Sequence, residues 1–189
     1  PTVAEMYPPG FDTWVDAGAL ADLLEGAIRP GHFRGVATVV TKLLNLTRPD
    51  RAYFGQKDGQ QVTIVRQLAR DLCLGTDIIA VSTVRELDGL AFSSRNMFLN
   101  SAQRKAAPVV YRALCRAQEL WQKGERDAEV LRREVRAFLE GEPLIDSIDY
   151  VSVAAAESLE ELQKVEVQAM VSVAVRLGAT RLIDNVILE

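Results

Sequence analysis

Three short stretches gather residue types able to hold an anion beside a turn or a helix start: Arg29-Pro30-Gly31-His32-Phe33-Arg34-Gly35, Gly55-Gln56-Lys57-Asp58-Gly59-Gln60-Gln61 and Ser93-Ser94-Arg95-Asn96. A lysine next to a helix N-terminus can hold a phosphate as a point charge while the free N–H groups bind its oxygens. Lys57 suits that task, although a solvated loop lysine has the same appearance. Gln61, four residues on, shares a helix face with Lys57 and can hydrogen-bond a ligand bound there, or stand exposed on its helix. Ser93-Ser94-Arg95 sets two hydroxyls beside a guanidinium, a good set for phosphate oxygens and also an ordinary polar linker. His32 is open to three roles: general base, ligand contact or helix-start residue. Its flanking Arg29 and Arg34 favour anion binding. Arg181 and Asp184 read as structural strand and turn residues.

The elements that must position these clusters follow from apolar spacing. Pro1 to Asp16, with Pro8-Pro9-Gly10, reads as a turn-rich connection ending in a short extended piece. Leu20, Leu23, Leu24 and Ala27 predict a helix over 17–28, stopped by Arg29-Pro30-Gly31. A second helix carries Val36, Val39, Val40, Leu43 and Leu44 on one side. Arg51 to Gly55 predicts a strand feeding a loop. Asp58 is placed to cap a helix bearing Ile64, Val65, Leu68, Ala69 and Leu72, and Asp77 to Ser82 predicts the next strand. Helix, strand, helix, strand with short connections is the grammar of a parallel sheet covered by helices, whose ligands bind outside the carboxyl ends of the strands. Gly55 to Gln61 lies at such an end. A nucleotide-binding domain of this kind normally opens with its own strand, phosphate loop and helix, so this part is expected to be the second half of one.

After Arg95 the pattern changes. Ser101 is placed to cap a long helix striped by Ala106, Val109, Val110, Ala113, Leu114, Ala117, Leu120 and Trp121 and ended by Gly124. A shorter helix turns Ala128, Leu131, Val135 and Phe138 inward, and strands are predicted over 148–154, 165–175 and 181–186. The fold class expected is therefore α/β: part of a Rossmann-like domain over residues 1–88, then a small α+β lid domain over 89–189, with the boundary near residues 84 to 96.

The chain of 189 residues, 48% apolar and 25% charged, is long enough to bury a core, and a formal charge of −4 without a basic tract speaks against nucleic acid as partner. Cys73 and Cys115 sit inside helical patterns, as reduced buried thiols of a cytoplasmic protein would. One histidine and no Cys/His pair at ligand spacing point to no protein-held metal; a metal is expected to arrive with a nucleotide. There is neither a bilayer-length apolar run nor a signal-peptide pattern, so a cytosolic location without a membrane partner is expected.

Six ordered stretches, Leu24-Glu25-Gly26-Ala27, RPGHFRG (29–35), GQKDGQQ (55–61), Asp88-Gly89-Leu90-Ala91, SSRN (93–96) and RLIDN (181–185), carry a resemblance over essentially the whole chain. The chain is similar to the pantothenate synthetase (pantoate–β-alanine ligase) family. The resemblance implies that ATP, accompanied by Mg²⁺, adenylates the pantoate carboxylate with loss of pyrophosphate, after which the β-alanine amine attacks the pantoyl adenylate to give pantothenate and AMP. It implies that Lys57, Ser93, Ser94 and Arg95 hold the ATP phosphates, and that Phe54, Gly55, Asp58 and Val84 shape the nucleotide pocket. Gln61, Val39 and Val40 would line the pantoate pocket, with His32 and Arg29 also on the substrate side. It further implies a homodimer.

This chain departs from the family pattern at Gln56, where Glu is usual, at Gly59, where an aromatic is usual, and at Phe92, where Met or Leu is common. Gly59 in the first turn of a helix costs up to about 1 kcal/mol against alanine. Nothing in the chain matches the family's H-x-G-H phosphate-binding signature, and His32 is its one histidine. The expectation is therefore an incomplete portion of the ligase, competent when joined to that segment. The competing readings are a noncatalytic, self-associating module of the family and a different adenylating enzyme.

Overall fold

Arg48, at φ 45°, turns the chain out of helix α3 (His32–Thr47) and into strand β1 (Arg51–Gly55). This begins a β-α-β unit completed by α4 (Gly59–Asp71) and β2 (Asp77–Val81). The computed structural model describes Pro1–Glu189. The two strands pair in parallel from Arg51↔Asp77 to Gly55↔Val81, as their apolar composition and the helical crossover require. Ala37, Val40 and Leu44 of α3 meet Val65 and Leu68 of α4, and Ala52, Phe54 and Ile78 from the strands close this core.

The chain divides into two compact units. Pro1–Gly55 and Gln60–Val81 form one, and Gln56–Gly59 with Ser82–Glu189 form the other. The turn carrying Lys57, which sequence spacing groups with the first domain, thus packs with the second.

Before α3 the first unit departs from the expected pattern. Pro1 to Asp16 contains a helix, α1 (Val3–Met6), closed by a Thr2/Glu5 capping box, and no extended strand. The helix predicted over 17–28 is broken into a 3-10 turn (Gly18–Asp22) and α2 (Leu24–Ile28), with Leu23 extended between them. Gln60 explains the break. Its Nε2 donates to the carbonyls of Leu20 (2.9 Å) and Leu23 (2.8 Å), and its Oε1 accepts from the Glu25 amide (2.9 Å). One buried side chain thereby meets backbone groups on both sides of the break. Gly26 is required here, since a Cβ would lie 1.7 Å from the Ala21 carbonyl oxygen.

In the second unit, Val84–Phe92 forms a small hairpin, with an Arg85↔Ala91 bridge and a turn closed by Gly89 at φ 94°. Asn100, not Ser101, caps the following helix, its side chain accepting from the amides of Ala102 and Gln103. The long helix expected there is two: α5 (Ser101–Ala106) and α6 (Val109–Gln122). Pro108 between them has no N–H to continue the ladder. The apolar stripe nevertheless stays in phase, and Ala106, Val109, Val110, Ala113, Leu114 and Ala117 are all buried. Helix α7 (Ala128–Glu140) buries Leu131, Val135 and Leu139 four residues apart, which leaves Phe138 exposed rather than inward.

Strands β3 (Ser147–Ala155), β4 (Ala169–Leu177) and β5 (Thr180–Leu188) form an antiparallel sheet in that order. The second strand begins at Ala169 and not at Val165, whose amide donates instead to the Arg126 carbonyl. Alternate residues Val171, Val173 and Val175 of β4 and Leu182, Val186 and Leu188 of β5 join α6 and α7 in one apolar core. No helix of the protein is long and apolar enough to cross a membrane.

Asp149 sits at a register shift in β3 and binds Arg181 Nε (2.5 Å) and Arg176 Nε (3.2 Å) on β5 and β4. Burial pushes its carboxyl pKa up, but the two guanidiniums outweigh that and hold it below the usual carboxylate value. A depressed folded pKa contributes stability above the ordinary carboxylate range that is lost as pH falls through the folded value. Asp149→Asn is therefore expected to lower stability at neutral pH and to flatten the acid limb of a urea-midpoint profile below about pH 4. Leu131→Ala, in the fully buried stripe of α7, is expected to cost about 2–5 kcal/mol by urea denaturation.

Candidate functional site

In β5 every second residue faces α6 and α7, and of the residues between, Asn185 is the one that is buried. Consecutive strand residues point to opposite faces, so Asp184 and Asn185 reach different segments of the second unit. Asp184 accepts a two-pronged ion pair from Arg85, Nη1 to Oδ2 at 2.5 Å and Nη2 to Oδ1 at 3.1 Å. The same guanidinium lies 3.7 Å from the Tyr111 ring centroid and donates to the Gly89 carbonyl at 3.2 Å. A hydrogen bond with Cys115, then burial, raises the Tyr111 pKa, so Arg85 rests on a neutral ring. A side chain at Gly89 would meet the Tyr111 ring at 2.5 Å.

On the opposite face, Asn185 Nδ2 donates to the carbonyls of Gln56 (2.8 Å) and Lys57 (2.9 Å). Gln56 Nε2 donates back to Asn185 Oδ1 at 3.0 Å. Asp58, expected as a helix cap, lies within the 3-10 turn Gln56–Asp58 that runs directly into α4. Gly59 is buried at the end of this turn. A Cβ there would fall 2.4 Å from Met170 Sδ and 3.1 Å from Asn185 Nδ2, so close packing leaves no room for a side chain in this arrangement.

Between these two attachments lies a cleft lined by Lys57, Ser93, Arg95, Asn96, Arg181 and Asp184 over an apolar floor that includes Leu90 and Val110. It is narrow in this conformation, admitting about one water molecule. Ser93 Oγ accepts from the Arg95 amide (3.2 Å) and caps the turn Ser94–Phe98, which leaves its hydroxyl proton available to a ligand. Asn96 Nδ2 donates to Glu86 (3.2 Å) and to the Ala91 carbonyl (3.0 Å), while its buried Oδ1 has no protein partner. Arg104 clamps the hairpin through Glu86 and Asp88, each at 2.6 Å, and holds the Asp88 pKa down.

The charges sort themselves by partner. Arg181 is paired with Asp149 and Asp184 with Arg85, so their contributions to the cleft are compensated. Arg95 is exposed, and Lys57 Nζ is 3.9 Å from the exposed Asp58 carboxylate, a weak pairing. Lys57 and Arg95 are therefore the cations suited to an incoming anion, with Ser93 as donor.

Of the other residues singled out by sequence, Ser94 and Val84 are exposed in the second unit. Gly55, exposed, ends β1 in the first unit, and Phe54 packs against that unit's core. Val40 is buried within the same core, with Val39 half-buried against it. Gln61 is half-buried on α4. At the start of α3, Arg29 Nη1 lies 3.0 Å from His32 Nε2. A guanidinium only donates, so in a hydrogen bond at this contact Nε2 is the acceptor. Spacing alone missed Arg85 and Asn185. The available signal was the polar pair Asp184-Asn185 set between Leu182-Ile183 and Val186-Ile187-Leu188, because buried polar groups require partners.

The family model described as pantoate-beta-alanine ligase matches residues 1–187. A pantothenate synthetase of Roseiflexus castenholzii is 57% identical across 100% of this chain, which spans 68% of that protein. The crystal structure of pantothenate synthetase from Thermus thermophilus superposes with a TM-score of 0.93 at 47% identity, covering 98% of this chain and 67% of the Thermus chain. Pantoate-beta-alanine ligase from Francisella tularensis, complexed with beta-gamma ATP and beta-alanine, gives a TM-score of 0.70 at 32% identity, covering 97% of this chain and 61% of its own.

Asp184→Ala strands the mostly buried Arg85 guanidinium without its carboxylate. The expected loss is about 3 kcal/mol in a urea-denaturation comparison with the wild type.

Proposed function

Because the chain belongs to the pantoate–β-alanine ligase family, we propose that it condenses pantoate with β-alanine using ATP, through a pantoyl adenylate, in the cytosol and as a homodimer. The observation that carries this reading is the convergence of Lys57, Ser93 and Arg95 on one cleft. The Francisella relative, solved with beta-gamma ATP and beta-alanine, supports those two molecules as substrates.

In the first step a pantoate carboxylate oxygen bonds to the α-phosphorus of ATP and the bond to pyrophosphate breaks. In the second, the β-alanine amine bonds to the acyl carbon, AMP leaves, and the amine gives up a proton. Neither step needs a protein nucleophile. Both need the reactants in line and the charge developing on the phosphate oxygens offset. Lys57 and Arg95 supply positive charge, and the hydroxyls of Ser93 and Ser94 donate to phosphate oxygens. Phe54, Gly55, Asp58 and Val84 are assigned to the nucleotide, and Gln61, Val39, Val40, His32 and Arg29 to pantoate. Mg²⁺ enters with substrate ATP, keeping phosphate and water ligands, a mode that asks for no protein cage.

The test is pantoate-dependent pyrophosphate release from MgATP, measured for the chain by itself and after addition of the remaining part of a relative's chain. Lys57→Ala is expected to lower the rate by about 100-fold or more. Release independent of pantoate, or an unaffected Lys57→Ala variant, would sink the proposal.

A further inference from the structure

Lys57 owes its place in the cleft to backbone that would otherwise be a free turn. The Gln56–Asp58 segment is a single 3-10 turn with no sheet partner, and the carbonyls of Gln56 and Lys57 both end on one side-chain amide, that of Asn185. The orientation of that amide is unambiguous, because two carbonyl oxygens can be met only by its NH₂ group. The remaining Oδ1 is engaged by Gln56 Nε2, so every polar atom of the Asn185 side chain is directed at this turn. A glutamate at position 56 could not make the last bond while ionised, which ties Gln56 to Asn185 in this chain.

The neighbouring residue fixes the other wall. Asp184 holds Arg85, and Arg85 holds the hairpin that runs into Ser93 and Arg95. Adjacent positions on one strand thus set both sides of the cleft, and the strand's pleat sets their separation.

We infer that Asn185 is a positioning residue: it touches no reactant, and it holds Lys57 where a phosphate of the nucleotide can meet it together with Ser93 and Arg95. The inference rests on the ligase reading for the identity of the anion. Asn185→Asp is nearly isosteric but replaces both donors with an acceptor facing two carbonyls. Ser172→Ala is the control, because Ser172 pairs with Asn185 in the β4–β5 register and its buried hydroxyl has no partner. A role limited to sheet packing would respond to both changes.

Two readouts are compared with the wild-type chain: amide hydrogen exchange at residues 56–59 and equilibrium binding of MgATP. Asn185→Asp is expected to speed exchange at 56–59 and to weaken MgATP binding, each roughly ten- to hundredfold, from the loss of two buried hydrogen bonds. Ser172→Ala should stay within about twofold on both, that change removing no hydrogen bond. Where the enzyme turns over, the loss should fall on KM for ATP and on kcat, with KM for β-alanine unmoved. If Asn185→Asp does not fold, Asn185→Ser, which keeps one donor, is measured against the same expectations. Exchange or MgATP affinity left at the wild-type level in a folded variant would overturn the assignment, as would an equal effect of Ser172→Ala. Absence of MgATP binding by the wild-type chain, both by itself and after addition of the remaining part of a relative's chain, would instead overturn the ligase reading itself.

Discussion

A polar dipeptide within the apolar stretch of an edge strand is the constraint on which the candidate site depends. Asp184 and Asn185 are both buried, and neither can be left without partners at acceptable cost in a strand surrounded by valine and leucine. The pleat sends them to opposite faces, so the need for partners is met by two different segments. One is the hairpin held through Arg85, and the other is the turn bearing Lys57. What looks like two independent loops is thereby indexed to one strand, itself locked by the α6 and α7 core.

The same logic operates in the first unit on a smaller scale. Gln60 lies between Gly59 and Gln61, in a run of polar residues where any could face a ligand. Gln60 is instead buried and joins three backbone groups around the break between Gly18–Asp22 and α2. Glutamine serves this purpose because its amide both donates and accepts at the end of a flexible stem. The polar cluster 55–61 therefore divides its labour: Lys57 lines the cleft, Gln56 completes the Asn185 amide, and Gln60 holds the preceding chain.

Charge compensation explains why a cleft containing Arg181, Asp184, Lys57 and Arg95 still favours an anion. Two of those charges are neutralised by Asp149 and Arg85 within the sheet and hairpin, whereas Lys57 and Arg95 retain theirs. Arg85 is further stabilised by stacking on Tyr111, which favours a mostly buried guanidinium.

Apolar period was enough to read α3, α4, α7, the parallel pair β1 and β2, and the strand-rich end of the chain, because those elements are defined by which face meets a core. The family resemblance was likewise legible in the ordered motifs, Lys57 and Ser93 to Asn96 among them. The break at Leu23, the division of α5 from α6 at Pro108 and the outward turn of Phe138 were not read. Each depends on a local hydrogen-bond competitor or a phase offset of a single residue. What only the tertiary structure decided is which polar residues are taken up by the fold and which line the cleft. In the linear chain Asn185 carries no mark of its role, and Gln60 looks like a candidate of equal standing with Gln61. Their partners lie 129 and 40 residues away, and hydrogen bonds closed over such separations leave no periodic trace in sequence.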